Sequence, residues 1–104
     1  GVGVGNFVTW FMRTRDNLPK HYYQPAHNVF LLIYSEIGIL GITAWLGFLV
    51  MIIRRNLQRL KNLELEELFI FVVFGGFLVV SLFDHFPWTI QQGRLMMWIL
   101  LAMI

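Results

Sequence analysis

The chain has 104 residues, of which 58% are hydrophobic and 13% are charged, and its formal net charge is +2. Soluble globular domains are usually nearer half apolar and a quarter charged, so the composition argues against an ordinary soluble domain. The sequence has no cysteine, which excludes disulfides and thiolate metal sites within it, and its basic residues do not form the aromatic-interleaved stripe typical of a nucleic-acid-binding protein.

Residues 1–28 are polar to mixed in character and predict a loop outside the membrane, with one short helix around Phe7–Arg13. The segment begins with GVGVG, in which glycine takes every second position. This pattern is not the G-x-G-x-x-G fingerprint, and no strand precedes it, so a dinucleotide-binding site is not predicted.

Three apolar runs follow this segment. The run 29–53 contains Glu36 as its single charged residue, and the runs 68–83 and 95–104 contain none. A helix needs about twenty apolar residues to cross a bilayer, so the first run is long enough and the second needs a flanking residue. We therefore predict an all-α chain, a polytopic transmembrane helical bundle with about two complete spanning helices, 29–53 and 67–83, and a truncated third.

The ends of the chain support the same interpretation. The chain begins with glycine rather than methionine and stops inside an apolar run, which predicts a piece of a longer multi-pass membrane protein. The competing interpretation is a helical hairpin buried in a large soluble core. A run of twenty-five residues with one charge is longer than such a helix usually shows, so the membrane interpretation is preferred.

The distribution of basic residues predicts an orientation. Segment 54–67, with the sequence RRNLQRLKNLELEE, is a charged connector that carries four basic residues directly after a helix. The opposite side of the predicted bundle, 1–28 together with 84–94, also carries four. Short cytoplasmic loops carry an excess of Lys and Arg. The clustering therefore favours a cytoplasmic connector, with residues 1–28 and 84–94 outside the cytoplasm.

His27 and Asn28 stand at the boundary between the loop and the first apolar run. Pro25 disfavours helix at the residue before it and permits a helix to start soon after. Asparagine is a preferred N-cap, so Asn28 is predicted to cap the first spanning helix. His27 would then lie at the membrane surface, where its imidazole could serve as an acid or base or could simply be an amphipathic interfacial residue.

Glu36 lies two turns inside the first spanning helix. A carboxylate at that depth is costly and marks a possible functional site. Nine residues separate it from His27, about 900° of helical rotation, so the two side chains should lie on opposite sides of a regular helix. Glu36 is expected to be held by an arginine from another segment, by a backbone end, or in protonated form. A structural clamp between helices is favoured over catalysis.

Small residues recur at every third position of the first spanning helix. Such residues let neighbouring backbones approach closely in a bilayer, so helix packing is their predicted role. They are Ser35, Gly38, Gly41, Ala44 and Gly47.

A polar segment separates the last two apolar runs. Its polar residues include Asp84, His85, Gln91, Gln92 and Arg94. Arg94 opens a predicted helix, where a cation is unfavourable against the helix dipole. An anion is therefore expected beside it, and the candidates are a phosphate, Asp84 and Glu36.

Loop residues could also contact a ligand. Arg13 and Arg15 could face a phosphorylated ligand or could be solvated. Tyr22 and Tyr23 suit an interfacial aromatic belt and equally suit stacking on sugar rings. The three histidines of the chain do not have the spacing of a zinc motif, so no metal site is predicted.

The order GVGVGNF, a polar loop, and then AHNVFLLIYSEIGILG resembles the O-antigen ligase/polymerase superfamily of bacterial envelope glycan enzymes. The hallmark of that family is similar to G-x-G-x-x-x-F, a loop, H-N or H-S, and E-x-G at a fixed distance. The matching residues here are Gly1, Gly3, Gly5, Phe7, His27, Asn28, Glu36, Gly38 and Gly41. The tail SLFDHFPWTIQQGRLMMWILLAM is also similar to a family stretch of the form D-x-x-x-W…Q-x-G-R-x-x-x-W, so the resemblance covers nearly the whole chain.

The resemblance implies an enzyme of the bacterial cytoplasmic (inner) membrane with its site on the periplasmic face. Such enzymes transfer a glycan from a polyprenyl-diphosphate carrier to an acceptor hydroxyl on a glycan, lipid or protein, without a metal or other cofactor. It implies His27 as the general base and Arg94 as a cation beside the leaving diphosphate. Arg13, Arg15, Tyr22 and Tyr23 are further candidates for substrate binding. The best-known arginines of the family are expected upstream, so this piece alone is expected to be inactive.

A different class of function is also open from the sequence. The chain could be a non-catalytic helical module of a membrane transporter or of a flippase for lipid-linked glycans. Glu36 and Arg94 would then be gate or ion-pair residues.

Overall fold

This computed structural model describes residues 1–15 and 17–104, and the regular elements among these residues are all helices, with no strand. The all-α prediction is therefore confirmed. The helices are α1 (Phe7–Thr14), α2 (Val29–Arg59), α3 (Leu65–Ser81), α4 (Phe86–Thr89) and α5 (Gln91–Met103), with 3-10 turns at Lys20–Tyr22 and Leu60–Asn62.

Helix α2 begins where the sequence predicts and ends six residues later than predicted. Its amino end follows Asn28, whose side-chain Oδ1 accepts a hydrogen bond from the N–H of Leu31 at 2.9 Å. It continues to Arg59 because the first part of the charged connector, RRNLQR, has no glycine or proline and is rich in helix-forming residues. The connector between α2 and α3 is therefore largely helical.

A break interrupts α2 at Gly38, where φ is 84° and ψ is −169°. This region of backbone space is essentially restricted to glycine. A neighbouring backbone does come close at this position, since a Cβ atom built on Gly38 would lie 2.9 Å from the Gly1 nitrogen. Gly38 also lets the backbone leave the helical path, a role that the sequence did not predict. Near the break, the carbonyls of Ser35 and Glu36 accept hydrogen bonds from the N–H groups of Val2 and Gly3, at 2.9 and 2.8 Å.

The first residues of the chain thus lie against α2 at the level of Glu36. In an uninterrupted helix the carbonyls of Ser35 and Glu36 would accept from residues 39 and 40. Gly1 lies so close to α2 that a Cβ atom built on it would be 2.1 Å from the Glu36 carbonyl oxygen. The glycine at this position therefore allows two backbones to come together, which explains part of the GVGVG pattern.

Helix α3 runs antiparallel to α2. At one end, the guanidinium of Arg59 lies 3.8 Å from the carboxylate of Glu67. At the other end, the Asn28 side chain donates to the Leu82 carbonyl at 2.9 Å. The start of α3 is stabilised by Glu67, whose carboxylate accepts from the N–H of Glu64 at 3.1 Å.

Helix α5 begins at Gln91, four residues before the apolar run 95–104. The polar residues between the apolar runs therefore form α4 and the first turn of α5 rather than an open loop. The short helix α4 packs against α5 and lies beside the first half of α2.

Two clusters of buried apolar side chains hold the helices together. The larger cluster joins α2, α3 and α5, and its buried members are Leu49, Ile52, Phe74, Phe77, Met97 and Leu100. The smaller cluster lies at the amino end of α2 and consists of Val29, Ile33 and Ile42, with Trp45 and Trp88 packed against it. The smaller cluster fixes α4 relative to α2 and so positions the polar residues discussed below.

One helical stretch of the described chain, Val29–Asn62, is long and apolar enough to cross a bilayer by length and composition. Only 22% of its most apolar window is buried inside the fold. Helix α3 has 17 residues, slightly fewer than a typical spanning helix. Large apolar side chains on both helices face outward, among them Leu40 and Phe69, which are 82% and 68% exposed.

Candidate functional site

Asn28 connects the start of α2 to the end of α3. Its Oδ1 caps α2 by accepting from Leu31, while its Nδ2 donates to the carbonyl of Leu82 at 2.9 Å. One side chain therefore fixes both the first turn of α2 and the turn after α3. This link brings His27, which precedes Asn28, next to Asp84 and His85.

His27 and His85 face each other across this junction, with ring centroids 5.1 Å apart. His27 is exposed and His85 is half-buried. The Nε2 atom of His27 lies 3.4 Å from Oε1 of Gln24, a long contact for a hydrogen bond. The imidazole of His27 is consequently accessible from solvent.

Asp84 completes this polar group. Its Oδ1 accepts from the N–H of His85 at 2.6 Å and from the N–H of Phe86 at 3.2 Å, and these bonds start α4. The hydrogen bond from Phe86, followed by that from His85, holds the pKa of the Asp84 carboxyl below its usual value. Asp84 is therefore a carboxylate at neutral pH, and it lies beside the two imidazoles.

His85 and Thr89 are joined by hydrogen bonds. The Thr89 hydroxyl oxygen lies 2.7 Å from Nδ1 of His85 and 3.1 Å from the His85 carbonyl oxygen. When the hydroxyl donates to the carbonyl, Nδ1 carries the ring hydrogen and donates to Thr89, and the lone pair of the imidazole is on Nε2. When the hydroxyl donates to Nδ1, the ring hydrogen is on Nε2.

Glu36 is 4% exposed and belongs to a separate contact. Its Oε2 accepts a hydrogen bond from the indole N–H of Trp88 at 3.1 Å. The Glu36 side chain thus connects α2 to α4, with an indole as its partner rather than the arginine or backbone end considered from the sequence. His27 and Glu36 do not form a pair.

A pocket of about 510 Å³ lies next to these groups. It is enclosed by the amino-terminal segment, α1, α2, α4 and α5. Its lining consists of Val4, Gly5, Phe7, Val8, Pro25, Leu32, Glu36, Trp88, Thr89, Arg94 and Trp98. Neither histidine is part of this lining, but Thr89, which is hydrogen-bonded to His85, is.

The predicted binding residues divide into two groups. Arg94, in the first turn of α5, lines the pocket together with Glu36. Arg13, Arg15, Tyr22 and Tyr23 are not part of the pocket lining among the described residues.

Tyr23 has a structural role in the loop before α2. Its hydroxyl donates to the carbonyl of Arg15 and accepts from the N–H of Leu18 at 3.2 Å. Its ring also meets the ring of Phe11 edge-on, with centroids 5.7 Å apart. Tyr22 is 59% exposed and packs on His21, with ring centroids 4.5 Å apart. Arg13 and Arg15 are exposed.

Three residues of this region make contacts that the sequence analysis did not predict. Thr89 had no predicted role, and His85 was noted only as part of the polar segment. Trp88, like Tyr22 and Tyr23, suited an interfacial aromatic belt or stacking on sugar rings. An i, i+4 spacing of His85 and Thr89 was the available signal for their hydrogen bond, because residues four apart are neighbours on a helix. No comparable signal links Trp88 to Glu36, since the two are 52 residues apart.

The arrangement combines three chemical capacities. An exposed imidazole can accept a proton, a nearby carboxylate can orient imidazoles or attract a cation, and a guanidinium in the pocket can stabilise an anion.

No protein-family model matches this chain, and neither curated proteins nor solved structures give a significant match.

Proposed function

We propose that this chain is part of an integral membrane glycan ligase or polymerase. In this proposal it transfers a glycan from a polyprenyl-diphosphate carrier to an acceptor hydroxyl on a glycan, lipid or protein. The observation that carries the proposal is the position of His27, which is exposed at the start of a long apolar helix and faces His85. His85 is hydrogen-bonded to Thr89, which lines a pocket together with Arg94. The family resemblance of the sequence points to the same reaction.

The reaction requires a base, an acceptor and a stabilised leaving group. His27 removes the proton from the acceptor hydroxyl as the hydroxyl oxygen attacks the anomeric carbon of the glycan. A new glycosidic C–O bond forms while the bond between that carbon and the diphosphate oxygen breaks. The diphosphate leaves with the electron pair, and the positive charge of Arg94 stabilises the charge that develops on it.

The membrane location is supported by the outward-facing surfaces of α2 and α3. Large apolar side chains are exposed there, and contiguous apolar surfaces of this kind mark contact with lipid or a partner. In the proposal α2 and α3 each cross the bilayer and α5 begins a third crossing. A lipid-linked donor could then keep its hydrocarbon chain in the bilayer while its diphosphate reaches the pocket.

The proposed orientation places the pocket outside the cytoplasm of a bacterial inner membrane. The basic residues of segment 54–67 cluster at the opposite end of α2 and α3, as expected for a cytoplasmic end. The acceptor would then approach His27 from the periplasmic or extracytoplasmic side.

The alternative of a transporter or flippase module expects Glu36 and Arg94 to act as an ion pair. These residues share the pocket lining, yet the ion pair present among residues 1–15 and 17–104 is Arg59 with Glu67. Glu36 is instead bonded to Trp88. This geometry gives the alternative no specific support.

The test is glycan transfer by the full-length protein in membrane vesicles supplied with a polyprenyl-diphosphate-linked glycan and an acceptor. We expect His27→Ala to lower the transfer rate by about 10²- to 10⁴-fold, the usual contribution of a general base. His21→Ala is the matched control and should retain the wild-type transfer rate. His21 is an exposed histidine in the same loop, but its ring packs on Tyr22 rather than on His85. Transfer by His27→Ala at the wild-type rate would refute the role of His27.

A further inference from the structure

Three potential metal ligands converge at the junction of α2 and α4. His27, Asp84 and His85 each offer one ligand atom, and these atoms all lie within 4.8 Å of one another. Two of the residues are consecutive and the third is 57 positions earlier, so the fold rather than a local motif assembles the set. Two imidazoles and one carboxylate are a common donor set for zinc and related divalent transition metals.

His85 is held as a ligand would be. Its Nδ1 is hydrogen-bonded to the Thr89 hydroxyl at 2.7 Å, and its Nε2 takes no part in that bond. Histidines that bind metals almost always donate their other ring N–H to an outer partner, because this fixes the tautomer and the ring orientation. Thr89 provides such a partner here without contacting a metal itself.

Asp84 and His27 each retain a free ligand atom. Asp84 uses Oδ1 for the N–H groups of His85 and Phe86, and its Oδ2 has no part in those two bonds. His27 is exposed, and its contact with Gln24 is long. No hydrogen bond with good geometry would have to be broken for these atoms to approach an ion.

The ligand atoms have to move closer together to bind a single ion. Zinc–ligand bonds are about 2.0–2.2 Å long, so two ligand atoms of a tetrahedral site are about 3.3–3.6 Å apart. A separation of up to 4.8 Å therefore has to shorten by as much as roughly 1.2–1.5 Å. His27 is exposed, and a change of its side-chain rotamer is the movement that we expect to bring the ligand atoms together. Three protein ligands would leave one coordination position open to water.

We propose that His27, Asp84 and His85 form a binding site for a divalent transition-metal ion of the zinc class. An ion at this site would occupy the lone pair of His27. Metal binding would therefore inhibit the transfer reaction, and this second statement rests on the proposed function, whereas the binding itself does not.

The binding test uses the full-length protein purified in detergent, with Zn²⁺ titrated by calorimetry and Co²⁺ followed by its visible absorption. We expect one ion per chain and an absorption spectrum of nitrogen and oxygen ligands. His27→Ala and His85→Ala should each weaken Zn²⁺ binding by at least about 10-fold, the lower end of what loss of even an outer partner costs. Asp84→Asn should also weaken it.

Two further variants separate a built site from adventitious binding and from misfolding. His21→Ala removes an exposed histidine outside the cluster and should leave Zn²⁺ affinity unchanged. Thr89→Val should weaken binding although Thr89 is not a ligand, because His85 loses its orienting partner. Circular dichroism and elution as a single species establish that each variant is folded. Equal affinity of folded His85→Ala and wild type, or an equal loss in His21→Ala, would overturn the proposal.

The inhibition is tested separately by glycan transfer with and without Zn²⁺. We expect micromolar Zn²⁺ to stop transfer and a chelator to restore it, with His85→Ala needing at least about 10-fold more Zn²⁺ for the same fractional inhibition. Tight Zn²⁺ binding with unaffected transfer would overturn the inhibitory role alone. Absence of any transfer in metal-free protein would instead count against the proposed function and leave the binding result intact.

Discussion

At the scale of single residues, the environment of Glu36 explains how α4 is held against α2. A carboxylate that is 4% exposed is stable only when it is hydrogen-bonded, and the indole N–H of Trp88 supplies a bond at 3.1 Å. Removing one member of such a pair leaves the other buried without its partner. The contact therefore stabilises the packing of α4 on α2 and so the position of His85 relative to His27.

Trp88→Phe should lower the free energy of unfolding by about 1–3 kcal/mol, because a buried acceptor loses its donor while most of the apolar contact remains. The change would be measured as a lower Tm by circular dichroism in detergent. Trp98→Phe is the matched control, since Trp98 lines the same pocket and is 52% exposed. An equal fall in Tm for both variants would show that the Glu36 contact contributes nothing specific.

Several residue roles could be inferred from local sequence, and others could not. Asn28 follows a proline and precedes an apolar run, and the structure places it at the start of α2 with its side chain capping the helix. Its second hydrogen bond, to the carbonyl of Leu82, depends on how α3 packs against α2, and nothing in the sequence around Asn28 predicts it. The same is true of the approach of His85 to His27, because chain spacing says nothing about residues brought together by folding.

At the scale of elements, α2 is two helical segments joined at Gly38. The sequence could predict a long apolar helix, because a run of twenty-five residues with one charge is too long for a strand and typical of a membrane-spanning helix. It could not show the break, since a small residue at every third position is equally consistent with helix packing. Which glycine departs from helical geometry depends on the partner for the exposed carbonyls, and that partner is the distant segment at Val2 and Gly3.

Gly38→Ala should destabilise the protein by about 1–3 kcal/mol, because an alanine is strained at φ 84° and its Cβ would lie 2.9 Å from the Gly1 nitrogen. Gly47→Ala provides a matched control in the same helix. Gly47 has open space around it, so alanine there should stabilise the helix by about 0.5–1 kcal/mol. Thermal unfolding of the two variants should therefore shift in opposite directions, and a higher Tm for Gly38→Ala would contradict the break.

At the scale of the whole molecule, the fold is elongated, with extents of 56 by 25 by 18 Å. The polar junction containing His27 lies at one end of the α2–α3 pair, and the basic segment after α2 lies at the other. A chain with polar ends and exposed apolar sides between them matches the requirements of a bilayer. Composition alone predicted the apolar runs and the polar segments between them. The proposed second crossing depends on α3, which has 17 residues.

Single cysteines at Lys20 and Gln58 test the proposed crossing by α2. The chain has no native cysteine, and both positions are exposed. In sealed vesicles a membrane-impermeant maleimide should label one position from outside and the other only after the vesicles are opened. Labelling of both from the same side would contradict the crossing.

The contact between the amino-terminal segment and the break in α2 has a consequence for biosynthesis. On the proposed topology, the carbonyls of Ser35 and Glu36 would face hydrocarbon without partners if α2 entered the bilayer alone, at a cost of several kcal/mol each. Val2 and Gly3 precede α2 in the chain, so the ribosome has already made them when the helix emerges. The N–H groups of Val2 and Gly3 can therefore enter the bilayer together with the carbonyls of Ser35 and Glu36. The interrupted helix is then inserted with these two carbonyls already hydrogen-bonded.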